Sequence, residues 1–184
     1  ASELIRLNEE RKEKTQLAVD AAVQLAEERV ALSDKVLVLL LKDCHESVAG
    51  IVAGKIKETY NRPTIILTYG KDCVKGSARS TEYYNIIENL RACSELLLHF
   101  GGHPMAAGLS IAEENIALLR KRLNETANVT EEDLAGKVSV DLIVPFSYVS
   151  EEGIDEIRLL EPYGPGNPSP LFAVKDVKVI GIQR

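Results

Sequence analysis

The chain has 184 residues, of which 45% are hydrophobic and 27% charged, so it can bury a core and is not a disordered tail. Its formal net charge of -6 argues against a protein that coats nucleic acid through bulk positive charge, though not against a local cationic groove. No apolar run reaches membrane-spanning length, and the charged N-terminus is not a signal peptide.

Cys44, Cys73 and Cys93 are widely spaced and form no zinc-ligand pattern. They read as three buried free thiols of a cytoplasmic protein. Residues 2–29 carry Leu4, Leu7, Arg11, Ala18, Ala22 and Leu25 on a helical stripe with no Gly or Pro, which predicts one long helix. Its polar stretch after Arg11 suits a connector between domains better than a core helix. Lys35–Leu41 is a continuous apolar run of strand length. A polar turn around His45 follows, and Val48–Tyr60 has helical spacing, with small residues at Gly50, Ala53 and Gly54. Pro63–Thr68 is a second buried strand, so this strand–helix–strand order predicts a parallel crossover. His45 falls beside the start of its helix, where anions are favoured.

Cys73–Arg79 alternates as a strand does, and Thr81 is placed to cap a helix over Glu82–Arg91. A short helix is expected from Ser94 to Phe100, then a turn at Gly101-Gly102-His103, a strand over Ala106–Ile111 and a helix over Glu113–Thr126. Val138–Val144 reads as a strand and Glu152–Leu160 as a short helix. Glu161–Pro170 is dense in Pro and Gly and marks a domain boundary before strands over 171–174 and 177–182. The chain does not begin with Met and ends on an unfinished strand, so a piece of a longer protein is expected.

Two segments carry chemistry. Ser77-Ala78-Arg79-Ser80 offers a guanidinium fork and hydroxyls, and Gly101-Gly102-His103 offers backbone N–H groups and an imidazole. If both face one cleft, the set suits a phosphodiester. His45 is a weaker candidate for the same ligand. Three histidines and scattered carboxylates give no metal cluster, and no Ser-His-Asp pattern, Walker loop or dinucleotide fingerprint is present. The residues therefore predict a substrate-holding domain without its own catalytic centre, metal or cofactor.

Ser77–Ser80, Leu96–Ser110 and Leu160–Pro168 resemble the RecJ family of bacterial single-stranded-DNA-specific exonucleases, in the DHH phosphoesterase superfamily. His45–Ala53 is similar to that family too, with Ser47 where its pattern has Gly. The resemblance covers nearly the whole chain. It implies an α/β fold: residues 1–30 as connecting helix, 31–160 as a DHH-associated domain with a mixed sheet flanked by helices, 161–170 as linker and 171–184 as the start of an OB-fold. It implies that Arg79 and His103 hold the phosphate backbone of single-stranded DNA, with Gly101 and Gly102 as supporting turn and Ser77 and Ser80 beside them. Two Mn2+ or Mg2+ ions would sit in a separate N-terminal DHH domain, the chain's partner, and the chain alone would not cleave DNA. Two other readings remain at this point: a phosphodiesterase for short oligonucleotides or cyclic dinucleotides, and a non-catalytic docking or dimerisation module.

Overall fold

Val36–Leu41 is apolar without interruption, and a strand of that kind is stable only when both its faces are covered. The computed structural model describes residues 2–136, 138–164, 166–178 and 180–181. Contacts divide the chain into two units, Ala1–Gly136 and Lys137–Arg184.

The first unit is built on a five-stranded sheet. Helix α1 (Ser2–Ala31) leads into β1 (Leu37–Leu40), α2 (Glu46–Tyr60), β2 (Thr64–Tyr69) and β3 (Val74–Arg79). Helix α3 (Ile86–Arg91), β4 (Leu97–His103), β5 (Ala106–Ile111), α4 (Ile116–Thr126) and the single turn α5 (Glu131–Leu134) follow. Spatial strand order is β1-β2-β3-β5-β4. β1 and β2 are parallel, as the crossover requires, and all other neighbours are antiparallel.

The sheet separates two cores. On one face Val38, Ile65, Leu67, Val74, Ala78, Ala107, Leu109 and Ile111 pack with Leu90 of α3 and Leu119 and Leu123 of α4. Asn124 ties α4 to the start of β1: its carbonyl accepts from Lys35 N at 2.6 Å and Val36 N at 3.0 Å, and its amide donates to Val36 O at 2.9 Å. On the other face Leu37, Leu39 and Ile66 pack with Val48, Val52 and Ile56 of α2 and with Ala18, Ala22 and Ala26 of α1. Only the C-terminal half of α1 is held this way, while Leu4, Ile5, Leu7 and Leu17 are exposed.

The structure corrects several expectations here. The helix expected over Glu82–Arg91 starts at Ile86, because Asn85 rather than Thr81 caps it by accepting from Glu88 N at 3.3 Å. The helix expected over Ser94–Phe100 is a single tight turn, Ser94–Leu96, followed by strand β4. A bulge explains the misreading. Leu97 pairs with Ile111 and His99 with Ser110, so Leu98 is an extra residue standing exposed, and the apolar run loses its period of two. Gly101-Gly102-His103 is consequently ladder, not turn. The turn is Pro104-Met105, and it is stapled to the segment after β3 by Ser80 N to Met105 O at 2.9 Å and Ile86 N to Pro104 O at 3.1 Å. Cys44 and Cys93 are buried, which pushes both thiols above their ordinary pKa, but Cys73 is only half-buried.

The second unit contains β6 (Leu142–Ile143), α6 (Glu151–Arg158) and β7 (Phe172–Ala173). β6 and β7 are parallel, and Asp141 N and Val144 N extend the pairing to Leu171 O and Ala173 O at 2.9 Å each. The strand expected over 138–144 is therefore only its end. The Pro/Gly stretch 161–170 is an internal loop of this unit and not its border, because strands on either side of it pair. Asn167 holds the loop by donating to Leu160 O at 2.8 Å and Pro162 O at 3.1 Å. The boundary between compact units falls at 136/137 instead. Of the strand expected over 177–182, residues 179 and 182 lie outside the described residues, and 177, 178, 180 and 181 are not in strand.

Candidate nucleic-acid interface

Residues two apart in a strand share a face, so β3 presents Lys75, Ser77 and Arg79 together. The antiparallel register carries that face across two more strands. Arg79 lies opposite Ala106 and Ala106 opposite His103. Ser77, Gly108 and Gly101 form the next row, and Lys75, Ser110 and His99 the third. Each outer row thus places two cationic or imidazole side chains about 10 Å apart, two strand spacings, across a small residue. The middle row is nearly bare.

This is the face that α2 covers over β1 and β2, through Ile66 and its neighbours. Over β5 and β4 it is open, with His99, Gly101, His103 and Gly108 all exposed. The opening forms a cleft of about 630 Å³. Its floor is the two rows from Ser77 and from Lys75, and Glu46, Ser47 and Ala49 of α2 are its wall. The Arg79 row runs along its margin. Arg79 donates from Nη1 to Ala78 O at 2.8 Å, and its Nη2 occupies space left by Gly50, where a Cβ would stand 2.8 Å away. The guanidinium is thereby laid against α2.

The adjacent glycines do different work. A Cβ at Gly101 would meet nothing within 4 Å, so its lack of a side chain keeps the floor bare for whatever lies on it. Gly102 faces the other way at φ +148°, and a Cβ there would stand 2.3 Å from Ala106 O. Gly102 is needed by the fold itself.

The structure brings Arg79, His103, Ser77 and Gly101 to one face. Ser80 does not join them: it is 1% exposed, and its hydroxyl donates to Tyr84 O at 2.5 Å. That bond shapes the turn after β3, which corrects the expectation that Ser80 faces a ligand. His45 caps α2, its Nδ1 accepting from Ser47 N at 3.2 Å with Ser47 Oγ at 2.8 Å. It adjoins the cleft wall without lining it.

Sequence reasoning passed over Lys75, His99, Gly108, Ser110 and Glu46. Lys75 was visible as the third member of the alternation Lys75, Ser77, Arg79. His99 was hidden because the segment was read as helix. Glu46 is the carboxylate of the lining, 3.1 Å from Lys75 Nζ, with both side chains about half exposed. Among the described residues no group of three or more His, Cys, Asp or Glu is placed to hold a metal ion. None of their helices is long and apolar enough to cross a membrane.

The DHHA1 domain profile matches residues 33–129, the unit that carries this face, and the RecJ OB domain profile matches 140–184. The chain belongs to the RecJ family. It is 37% identical over its full length to the single-stranded-DNA-specific exonuclease RecJ of Bacillus subtilis. It is 34% identical to that of Escherichia coli over 94% of the chain. It covers 24% and 32% of those two proteins, so it spans a third or less of these relatives. The crystal structure of Thermus thermophilus RecJ in complex with Mn2+ superposes with a TM-score of 0.77 at 33% identity, over 94% of this chain and 25% of that one. The Mg2+ complex of the same protein gives 0.74 at 34% identity, over 93% of this chain and 26% of that one. The expected α/β fold, with a mixed sheet flanked by helices, a long first helix and OB-fold sequence at the C-terminal end, stands, but the OB match begins at residue 140 rather than at 171.

Proposed function

We propose that this chain is the substrate-holding part of a RecJ-type, 5′→3′ single-stranded-DNA exonuclease acting in DNA repair and recombination in the cytoplasm. The Arg79–Ala106–His103 row supports the reading most. Two donors face each other across a small residue at the edge of an open cleft. Arg79 supplies a planar fork matched to phosphate oxygens, and His103 a ring N–H from the opposite side. Ser77 and the bare Gly101–Gly108 floor let a sugar-phosphate chain lie close to the backbone. In this reading hydrolysis belongs to two divalent ions in a separate DHH domain that pairs with this one. This chain's role is to hold and orient, and alone it cleaves nothing.

The test is binding of the chain to fluorescent oligo(dT), measured by anisotropy across a salt series. Binding should weaken steeply as salt rises. Arg79→Ala and His103→Ala should each weaken it about tenfold or more, with unchanged circular dichroism. Absence of binding at low salt, or variants that bind as the parent does, would overturn the reading. Dinucleotides that compete as well as long strands would instead favour a phosphodiesterase for short oligonucleotides.

A further inference from the structure

The cleft is not centred on the Arg79–His103 row. Its lining contains Lys75, Ser110 and His99, and that row repeats the first one's design. In each, a cationic residue on β3 faces a histidine on β4 across a small residue on β5: Arg79, Ala106 and His103 in one, Lys75, Ser110 and His99 in the other. The rows are four residues apart along β3, with the nearly bare Ser77–Gly108–Gly101 row between them. Adjacent rows on one face are separated by about 6.8 Å, two strand residues. That is one step of a backbone stretched to twice the ~3.4 Å rise of a stacked strand. Outer rows therefore stand about two such nucleotide steps apart along the strand direction, and somewhat more for a chain crossing the sheet obliquely.

We infer that Lys75, His99 and Ser110 form a second phosphate subsite. It binds a phosphate of the same strand about two steps from that held by Arg79 and His103, while the intervening nucleotide lies over Ser77, Gly108 and Gly101. The inference rests on the nucleic-acid reading above. Lys75 brings the charge, His99 and Ser110 bring an N–H and an O–H, and Ser110 adds no bulk. Glu46 is part of the device. Its carboxylate stands 3.1 Å from Lys75 Nζ and competes with phosphate for the ammonium. Glu46 thus sets a threshold: it weakens binding at this subsite and leaves the Arg79 row untouched.

The chain is titrated by NMR with dTpdT, which has one phosphate, and with dTpdTpdTpdT, which has three. Lys75→Ala and His99→Ala should leave dTpdT affinity within twofold and weaken the tetranucleotide about fivefold or more. Each should also lower its salt slope by a fraction of a unit up to ~0.7, one phosphate contact on a single strand. Glu46→Gln should tighten the tetranucleotide severalfold and dTpdT by less than twofold, a gain that a damaged fold would not give. If the parent binds neither ligand at low salt, the nucleic-acid reading falls and the subsite with it. If the parent prefers the tetranucleotide and Arg79→Ala weakens it, but the Lys75, His99 and Glu46 variants match the parent, only the second subsite is refuted.

Discussion

Replacing Gly50 by Ala should move stability and binding in opposite directions. Gly50 lies inside α2, four residues past its start, where an alanine is worth about 1 kcal/mol of helix propensity. The new Cβ would stand 2.8 Å from Arg79 Nη2, closer than any real Cβ contact. The obstructing atom is the tip of a flexible side chain, so Arg79 can swing aside at little cost to the fold. The net effect on stability is then a gain of up to ~1 kcal/mol, or about 2–4 °C in Tm for a chain of this size. Binding loses the pre-set guanidinium. A charge-assisted hydrogen bond contributes about 1.5–3 kcal/mol, so affinity for oligo(dT) should drop roughly tenfold to a hundredfold. Thermal melting followed by circular dichroism reads the first quantity and fluorescence anisotropy the second. A higher Tm with unchanged affinity would show that Arg79's position against α2 does not matter for the ligand. A lower Tm would show that Arg79 cannot yield, and the argument from Gly50 would fail.

Two further outcomes follow from the same sheet. Gly102→Ala should destabilise the chain by ~2 kcal/mol or more, since φ +148° is strained for any L side chain and the clashing atoms, Ala106 O and Ala107 Cα, are backbone; a urea midpoint equal to the parent's would refute this. Arg120→Ala should cost about 3–5 kcal/mol, because Asp34, with its side chain 8% exposed, would lose bonds at 2.5 and 2.7 Å and be left as a buried unpaired charge. The check is urea unfolding of the single variant beside the Asp34→Asn, Arg120→Ala pair, which should recover part of the loss.

The first half of the sheet was legible because its strands are apolar runs or clean alternations with nothing else to become. β1, α2, β2 and β3 fall within a residue or two of their expected limits. β4 was not legible. Leu96, Leu97, Leu98 and Phe100 satisfy helical spacing, and only the pairing partner β5, which a local reading does not see, reveals that Leu98 is a bulge. That error displaced the glycines into a turn and concealed His99. Arg79 and His103 were still singled out together, on the argument that their two segments could face one cleft. The ladder brings them to one row by a different route. Ser80 shows the opposite failure: a hydroxyl beside a candidate site was read as a ligand group when a nearby backbone carbonyl claims it.

The stapled hairpin has a consequence for how this surface meets a strand. Pro104-Met105 is joined by backbone hydrogen bonds to Ser80, the residue after Arg79, and to Ile86 at the start of α3. Both ends of the Arg79–His103 row are therefore fixed to one another through the main chain as well as through the ladder. The gap between them is a rigid gauge rather than a closing jaw. Its ordering entropy is met during folding, so if the row holds a single strand as proposed, the loss on binding would fall on the nucleic acid. Such a gauge would select by backbone shape and extension rather than by the order of bases.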